Sequence, residues 1–198
     1  MTFTKQFTKT MQKEAKKEKN KNYDYASLYR QRLLEKRNQK ETTTRIKKPT
    51  NIARAKSLGY KAKQGIFVVA VKVRKGAGIK TRPSSGRKPK HMAIRDITRR
   101  ISKQRIAEQR ASKKYPNCEV IGSYWIGEDG INNYYEVIMA DTKSKSVTKD
   151  KNTKNALAKK GRAERGLTSA GKKGRGLKKG KGHEKNYPSL RAHSRKAK

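Results

Sequence analysis

IFVVAVKVR, residues 66–74, decides the fold class of this chain, because β-branched residues bracketed by glycines at 65 and 76 are typical of a β-strand. Successive side chains of a strand point to opposite faces, so every second residue shares a face. One face carries Phe67, Val69, Val71 and Val73, and the other carries Ile66, Val68, Lys72 and Arg74. The second face changes from apolar to basic along the strand, so we expect its end to meet solvent or a charged partner.

A basic loop and a helix are predicted after this strand. Residues 75–90 (KGAGIKTRPSSGRKPK) are rich in Gly, Ser, Pro and basic residues, which is typical of a loop. From about Met92 to Lys114, the residues Ile94, Ile97 and Ile101 recur at helical spacing. Many other positions of this segment are basic, so we expect one face of the helix to pack inward and the rest to be positively charged.

Two more strands are predicted downstream, at about Glu119–Trp125 and Tyr134–Asp141. The intervening Gly127-Glu128-Asp129-Gly130 has the residue types of a hairpin turn. The order strand, basic loop, helix, strand, strand indicates an α+β fold with a small, largely antiparallel sheet and a packed helix. Long basic N- and C-terminal extensions flank this unit.

The charge of the chain is its strongest functional signal. Among 198 residues there are 55 Lys and Arg against 15 Asp and Glu, which gives a formal net charge of +40. Such a surface repels itself and attracts a dense polyanion. Nucleic acid fits best, because a duplex presents a phosphate roughly every 1.7 Å of its axis.

A membrane surface is the competing polyanion, and the sequence disfavours it. No apolar run approaches the ~18 residues that would indicate a span, and neither end carries a lipidation signature. The N-terminus MTFTKQFTKT lacks the apolar core of a signal peptide. We therefore expect a chain of the cytosol or nucleus with no membrane partner.

The charge is unevenly distributed over three parts. Residues 1–64 hold 19 basic and 5 acidic residues, residues 65–142 hold 16 and 7, and residues 143–198 hold 20 and 3. The two flanks are too polar to bury a core of their own. We predict a basic N-terminal arm with short helices (1–64), an α+β core domain (65–142) and a basic Gly/Lys-rich RNA-binding extension (143–198).

The arm shows two helix signals. Phe3, Phe7 and Met11 repeat every four residues, and a second apolar stripe from Tyr25 to Leu33 follows Asp24, a candidate N-cap. Residues 42–63 are expected to be irregular. After residue 141 periodicity is lost, and glycines interrupt pairs of basic residues, which would let backbone N–H groups approach phosphates.

Catalytic and metal chemistry have no support in the sequence. Cys118 is the single cysteine and is expected to be a small buried hydrophobe. Glu128 and Asp129 lie in a predicted turn without a nucleophile or histidine nearby, and no GxxxxGK[ST] loop occurs. The histidines do not have a ligand spacing; they are His91, His183 and His193. We expect no metal, no cofactor, no small-molecule substrate and no catalytic residue.

Four long segments carry a family resemblance. They are ARAKSLGYKAKQG (53–65), YPNCEVIGSYWIGEDG (115–130), YYEVIMAD (134–141) and RGLTSAGKKGRGLKKGKG (165–182). In this order they resemble the archaeal and eukaryotic L-fifteen-e family of large-subunit ribosomal proteins. The resemblance implies a small mixed core with extensions threaded through large-subunit rRNA, neighbouring ribosomal proteins as partners, a cytoplasmic location in the ribosome, and no enzymatic activity.

RNA contacts are expected from basic residues near glycines and at the end of the first strand. The candidates are Lys61, Lys63, Arg74, Lys75, Arg82, Arg87, Lys88, Lys90, Arg165, Lys172, Lys173, Arg175, Lys178, Lys179, Lys181 and His183. Tyr60 either stacks on a base or packs beside the sheet, and the sequence leaves both open. The aromatic residues of the last two strands are expected to pack in the core; they are Tyr124, Trp125, Tyr134 and Tyr135.

Two rival classes remain. Lysine-rich tails around a small domain also suit a DNA-compacting protein, and Lys outnumbers Arg by 37 to 18. No recognition-helix motif supports that reading. An RNA-modifying enzyme is opposed by the lack of a nucleophile–base pairing, a metal cluster or a cofactor loop.

Overall fold

An antiparallel sheet of four strands forms the centre of the molecule. The computed structural model describes residues 2–20, 23–76, 86, 88 and 101–177. The strands of this sheet are β3 (Thr43–Ile46), β4 (Ile66–Arg74), β5 (Cys118–Glu128) and β6 (Asn132–Asp141), and their spatial order is β3-β4-β6-β5. A separate two-stranded ribbon joins β1 (Lys19–Asn20) to β2 (Tyr23–Asp24). These elements confirm the α+β class with a small antiparallel sheet.

Both faces of the sheet are covered by apolar side chains. The face with Val69 and Val137 packs against the short side chains of Ala107 and Ala111 from a single helix. The other face forms a second cluster around Val68 and Ile138. Alternation along β4 is thus as predicted, and burial continues on both faces because helices lie on each side.

Seven helices surround the sheet among the described residues. They are α1 (Phe3–Lys16), α2 (Tyr25–Asn38), α3 (Ile52–Ser57), α4 (Lys103–Lys114), α5 (Lys145–Thr148), α6 (Lys151–Leu157) and α7 (Ser169–Gly174). The two predicted helices of the arm are therefore confirmed. Asp24 is the N-cap of α2, and its Oδ1 accepts hydrogen bonds from the N–H groups of Ala26 (3.0 Å) and Ser27 (3.3 Å).

The arm docks on the sheet through a glycine in β5. A side-chain carbon built on Gly127 would lie 2.6 Å from Oη of Tyr29 and 2.9 Å from Cδ2 of Leu33, both on α2. Only a residue without Cβ leaves room for that helix. The sequence prediction placed this glycine in the turn, whereas the turn is residues 129–131. There the Oδ1 of Asp129 accepts hydrogen bonds from the N–H groups of Ile131 (2.7 Å) and Asn132 (2.5 Å).

Three expectations about elements were wrong. The helix predicted from about Met92 begins at Lys103, because Ser102 has extended backbone angles and caps it by accepting a hydrogen bond from the Arg105 N–H at 3.2 Å; residues 92–100 lie outside the described residues. The segment 42–63, expected to be irregular, contains β3 and α3. The loss of periodicity after residue 141 did not prevent three short helices.

Trp125 corrects the expectation that all four strand aromatics are buried. Tyr124, Tyr134 and Tyr135 are buried, whereas Trp125 is 45% exposed. It lies on β5, the edge strand of the sheet, opposite Tyr135 in the pairing. Tyr60 packs partly buried against the second cluster, and Cys118 is half-buried against the first.

Candidate nucleic-acid interface

Of the acidic residues that the structure describes, some lie in the interior and others, such as Glu18 and Glu164, are exposed. Among the described residues, four glutamates are buried, and the single buried basic residue is Lys36. The glutamates are Glu14, Glu108, Glu119 and Glu136. Negative charge is thus withdrawn from the surface, so the exterior is more cationic than the composition alone suggests.

Glu136 ties the arm to the centre of the sheet. It lies on β6, is fully buried, and accepts hydrogen bonds from Thr50 N–H at 3.0 Å and Thr50 Oγ1 at 2.5 Å. Lys36 Nζ on α2 donates to it at 3.2 Å, and Tyr124 Oη also donates to it. Burial, together with this carboxylate, raises the pKa of Tyr124 well above its ordinary value. Tyr124 therefore remains a neutral hydrogen-bond donor at physiological pH.

Glu119 holds residues 161 and 162 of the C-terminal extension. Its carboxylate accepts hydrogen bonds from the backbone N–H groups of Gly161 (2.7 Å) and Arg162 (3.2 Å). The guanidinium of Arg162 donates from Nη1 to the Val120 carbonyl at 2.7 Å. Burial lowers the pKa of Arg162, while the nearby Glu119 carboxylate opposes that change. These polar contacts therefore join β5 to the extension, between residues that are about 42 positions apart in the sequence.

Glu108 holds the extension at a second point. It lies on α4, 1% exposed, and accepts hydrogen bonds from the hydroxyls of Ser123 and Thr168, each at 2.5 Å. Thr168 Oγ1 in turn accepts from the Gly171 N–H at 3.2 Å and caps α7. Burial raises the pKa of Glu108, although both hydroxyl hydrogen bonds lower it.

Glycines of the extension pack on each other. Gly166 has a φ of +66°, and a side-chain carbon built on Gly171 would lie 2.5 Å from the Cα of Gly166. The backbones at these two positions therefore touch. Gly171 thus makes a contact within the chain, and the approach of the extension's glycines to phosphate stays a prediction.

The predicted pair Lys61 and Lys63 converges on one carboxylate. Asp150 Oδ2 lies 2.6 Å from Lys61 Nζ and 3.1 Å from Lys63 Nζ, and Lys63 also donates to the Ser146 carbonyl at 2.7 Å. The structure brings these two lysines together. Their side chains fix α5 and the residues after it to the segment before β4.

Other predicted residues point outward. Arg165, Lys172 and Lys173 are exposed around the glycine contact, and Arg175 donates from Nη1 to the Gly166 carbonyl at 3.3 Å. Arg74 is exposed at the end of β4, Lys75 pairs with Glu128 at 3.2 Å, and Lys88 is exposed. The remaining candidates lie outside the described residues; they are Arg82, Arg87, Lys90, Lys178, Lys179, Lys181 and His183.

Several basic residues near these surfaces were missed by sequence reasoning. Arg105 lies on α4, donates to the Glu164 carbonyl at 3.0 Å, and places Nη2 where a side chain on Gly166 would be. Arg45 and Lys47 line a groove beside Tyr60. No local signal identifies them, because their partners are distant in sequence.

The described part of the chain offers neither a metal site nor a membrane-spanning helix. It contains no group of three or more His, Cys, Asp and Glu residues that could hold a metal ion. None of its helices is both long and apolar enough to cross a membrane. The histidines noted above lie outside the described residues.

Comparison with known proteins identifies the family. A family model described as "Ribosomal L15" matches residues 7–193. The chain is 54% identical over 176 residues to "Large ribosomal subunit protein eL15" of Methanocella arvoryzae, covering 86% of this chain and 88% of the relative. Proteins of the same description from Methanospirillum hungatei (53%; 78% of this chain, 80% of the relative) and Metallosphaera sedula (51%; 79% and 73%) are similar.

Each match covers most of this chain and most of the relative, so the similarity extends well beyond the sheet. The resemblance carried by the four segments is therefore confirmed. The chain belongs to the Ribosomal L15e family, and as a member it is a structural ribosomal protein and not an enzyme.

Proposed function

We propose that this chain is a structural constituent of the large ribosomal subunit that binds and stabilises large-subunit rRNA by neutralising its phosphates. The observation that carries the proposal is that four glutamates are buried, while nearly all described basic residues keep some exposure. Relatives described as large-subunit proteins support the same assignment. The expected location is the ribosome in the cytoplasm, beside neighbouring ribosomal proteins.

The three parts of the chain contribute differently to this function. The core domain (65–142) supplies strands β4, β5 and β6 of the sheet and the arm (1–64) supplies β3, while the arm and the extension (143–198) carry most of the positive charge. Polar contacts of Glu136 and Glu119 hold the described portions of both flanks on the sheet. Their exposed lysines and arginines are thereby presented on a fixed surface, which reduces the entropy lost on binding.

Within the extension, arginine and lysine have different expected roles. Arg165 and Arg175 can each clamp a phosphate with two parallel hydrogen bonds, whereas Lys172 and Lys173 act as point charges. The other candidate residues predicted from sequence are also proposed to contact RNA phosphates. They include Lys61, Lys63 and the candidates that lie outside the described residues. Lys61 and Lys63 would share their charge between Asp150 and RNA.

The salt dependence of RNA binding tests the proposal. Purified full-length protein is titrated onto transcribed fragments of large-subunit rRNA at several salt concentrations. We expect log affinity to fall against log salt by about 0.7 to 0.9 per phosphate neutralised, with about ten or more phosphates involved. A slope equivalent to about two or three phosphates would contradict phosphate neutralisation as the basis of binding.

A matched duplex DNA separates the proposal from the DNA-compacting alternative. Both polymers carry phosphates, so a protein that recognises charge alone binds them equally at one salt concentration. We expect tighter binding to the rRNA fragments and salt-dependent co-sedimentation with large subunits. Equal affinity for DNA together with no co-sedimentation would favour the alternative.

A further inference from the structure

A groove lies at the edge of the sheet, where β3 ends and β4 begins. Its volume is about 420 Å³, and the described residues that line it are Arg45, Ile46, Lys47, Tyr60, Ile66 and Phe67. The basic RNA contacts predicted from sequence do not belong to this set; of its members, the sequence left only Tyr60 open as a base-stacking residue. The groove is open on one side, so a group from a bound partner could enter it.

The floor of the groove is apolar and fixed in place. Ile66 is buried, while Ile46 and Tyr60 are partly buried and pack against the second core cluster. The Tyr60 N–H donates to the Ala55 carbonyl at 3.0 Å, and Gly59 before it has a φ of +97°. The backbone at Tyr60 is therefore held by the turn that follows α3, and the Tyr60 ring packs against the second core cluster. A fixed, half-exposed ring suits stacking, because little conformational entropy remains to be lost on contact.

The rim of the groove is cationic. Arg45 and Lys47 are exposed, and the Arg45 guanidinium lies 4.6 Å from the centre of the Phe67 ring. Of the described lining residues, none is acidic. An apolar floor with an aromatic ring and a cationic rim complements a group that is both planar and attached to a negative charge.

We propose that this groove takes one unstacked nucleotide of bound RNA, with its base against the Tyr60 ring and its phosphate against Arg45 and Lys47. The inference rests on the proposed RNA-binding function and adds a specific site to it. Single-stranded and splayed bases are recognised in this way by aromatic side chains combined with basic residues. An apolar side chain of a neighbouring protein would fit the floor but would leave the two rim cations without an anion.

A second groove of similar size provides a control. Its volume is about 400 Å³, and it combines apolar residues such as Leu58 and Ile121 with the cations Lys159, Arg162 and Lys172. No aromatic residue is among its described lining residues. Charge is therefore comparable in the two grooves, and the stacking ring distinguishes them.

Photo-crosslinking to the unaltered full-length protein tests the site directly. Large-subunit rRNA fragments containing 4-thiouridine are bound, irradiated and digested, and the modified peptides are located by mass spectrometry. We expect a cross-link on the peptide that contains Tyr60. If the protein binds the fragments with the steep salt dependence expected above but residues near Tyr60 are not modified, the nucleotide site is excluded while RNA binding stands. If the fragments do not bind at all, the proposed function itself fails.

Substitutions separate stacking from charge. Tyr60→Leu should weaken rRNA affinity by at least about fivefold, because stacking contributes roughly that much or more per base. Tyr60→Phe keeps the ring and should change affinity by less than about twofold. Equal losses in both variants, with unchanged melting temperatures, would overturn the proposal. A cross-link from Tyr60 to a neighbouring protein in assembled subunits, without any cross-link from Tyr60 to RNA, would also overturn the proposal.

Two double variants remove equal charge from the two grooves. R45Q/K47Q and K159Q/K172Q each lower the net charge by two, so both should weaken binding through the general electrostatic effect. We expect only R45Q/K47Q to reduce the Tyr60 cross-link yield, measured at protein concentrations that give equal RNA occupancy. Equal cross-link yields in the two variants would show that Arg45 and Lys47 do not hold the nucleotide.

Discussion

The central sheet and the C-terminal extension are built on different forces. The sheet is held by apolar side chains on both faces, with Val69, Val137 and Ile138 fully buried. The described part of the extension, residues 143–177, buries few large apolar side chains and is held by hydrogen bonds to Glu108 and Glu119. Hydrophobic burial is roughly proportional to area and needs no particular partner, whereas a buried carboxylate requires specific donors.

This difference explains how a chain with so many basic residues can have ordered segments on either side of its core. A polar segment cannot offset about 1 to 2 kcal/mol of backbone entropy per residue by burying its own side chains. Here a small number of carboxylates from the core provide acceptors for backbone N–H groups and hydroxyls of the extension. The described lysines of the extension outside α6's first turn stay exposed, as the proposed RNA binding requires.

The largest effect is expected from a substitution in the sheet. Ile138→Ala removes a fully buried side chain from the second cluster and should lower the free energy of unfolding by about 2 to 5 kcal/mol. Urea denaturation followed by circular dichroism measures it. Ile131→Ala, at a 51% exposed position of the adjacent turn, is the control and should cost less than about 0.5 kcal/mol. Similar losses for the two variants would contradict the assignment of the sheet as the stabilising unit.

Strands β4, β5 and β6 of the sheet are also the part that the sequence predicts well, whereas β3 was not predicted. The bounds of β4 agree with prediction, and the last two strands differ only by a few residues at their ends. Period-two alternation and flanking glycines are local signals, and in this region local preference and tertiary packing agree. Helix α4 was placed correctly at its end but not at its start, because Ser102 caps the helix after the apolar stripe has already begun.

The extension and the surface around Tyr60 could not be predicted to the same extent. Glu119 binds backbone 42 residues away, and Glu108 binds Thr168 across 60 residues. Neither pairing leaves a periodic trace in the sequence. Basic residues could be named by type as candidate RNA contacts, but only the fold shows that Lys61 and Lys63 share Asp150, or that Arg45 lies beside Tyr60.

A methyl group between the two glycines of the extension should release it from the sheet. Gly171→Ala places a carbon 2.5 Å from the Gly166 backbone, and backbone yields less readily than a flexible side chain. We expect a local cost of about 1 to 3 kcal/mol, seen as faster amide hydrogen exchange in residues 161–175. Exchange in β6 should be unchanged.

Gly130→Ala is the matched control for that substitution, because nothing lies within 4 Å of a carbon built there. It should leave exchange in the extension as it is in the parent protein. If Gly171→Ala instead accelerates exchange throughout β6, the sheet and the extension form one cooperative unit, and the distinction between them fails.

The last two substitutions replace the buried glutamates that hold the extension, Glu119 and Glu108. These glutamates differ in whether their hydrogen bonds require a charged carboxylate. Glu119 accepts from two backbone N–H groups that have no alternative orientation, so Glu119→Gln would point an amide N–H toward one of them. We expect a loss of about 1 to 3 kcal/mol. Glu108 accepts from two hydroxyls, and these can rotate to accept from an amide. Glu108→Gln should therefore cost less than about 1 kcal/mol near pH 4.

The pH dependence of the stability of Glu108→Gln distinguishes the two glutamates further. Burial raises the pKa of Glu108 above its ordinary value of 4.5, so the folded protein binds a proton that the unfolded chain has already released. The stability that this carboxyl contributes in its neutral form is thus lost as pH rises from about 4.5 through the raised folded pKa. Gln cannot ionise, so the variant should gain stability relative to the parent over that interval. Urea midpoints of both proteins from about pH 4 to pH 8 measure the difference, in which the titration of all other groups largely cancels. A variant that loses stability relative to the parent as pH rises would show that Glu108 anchors Thr168 as an anion.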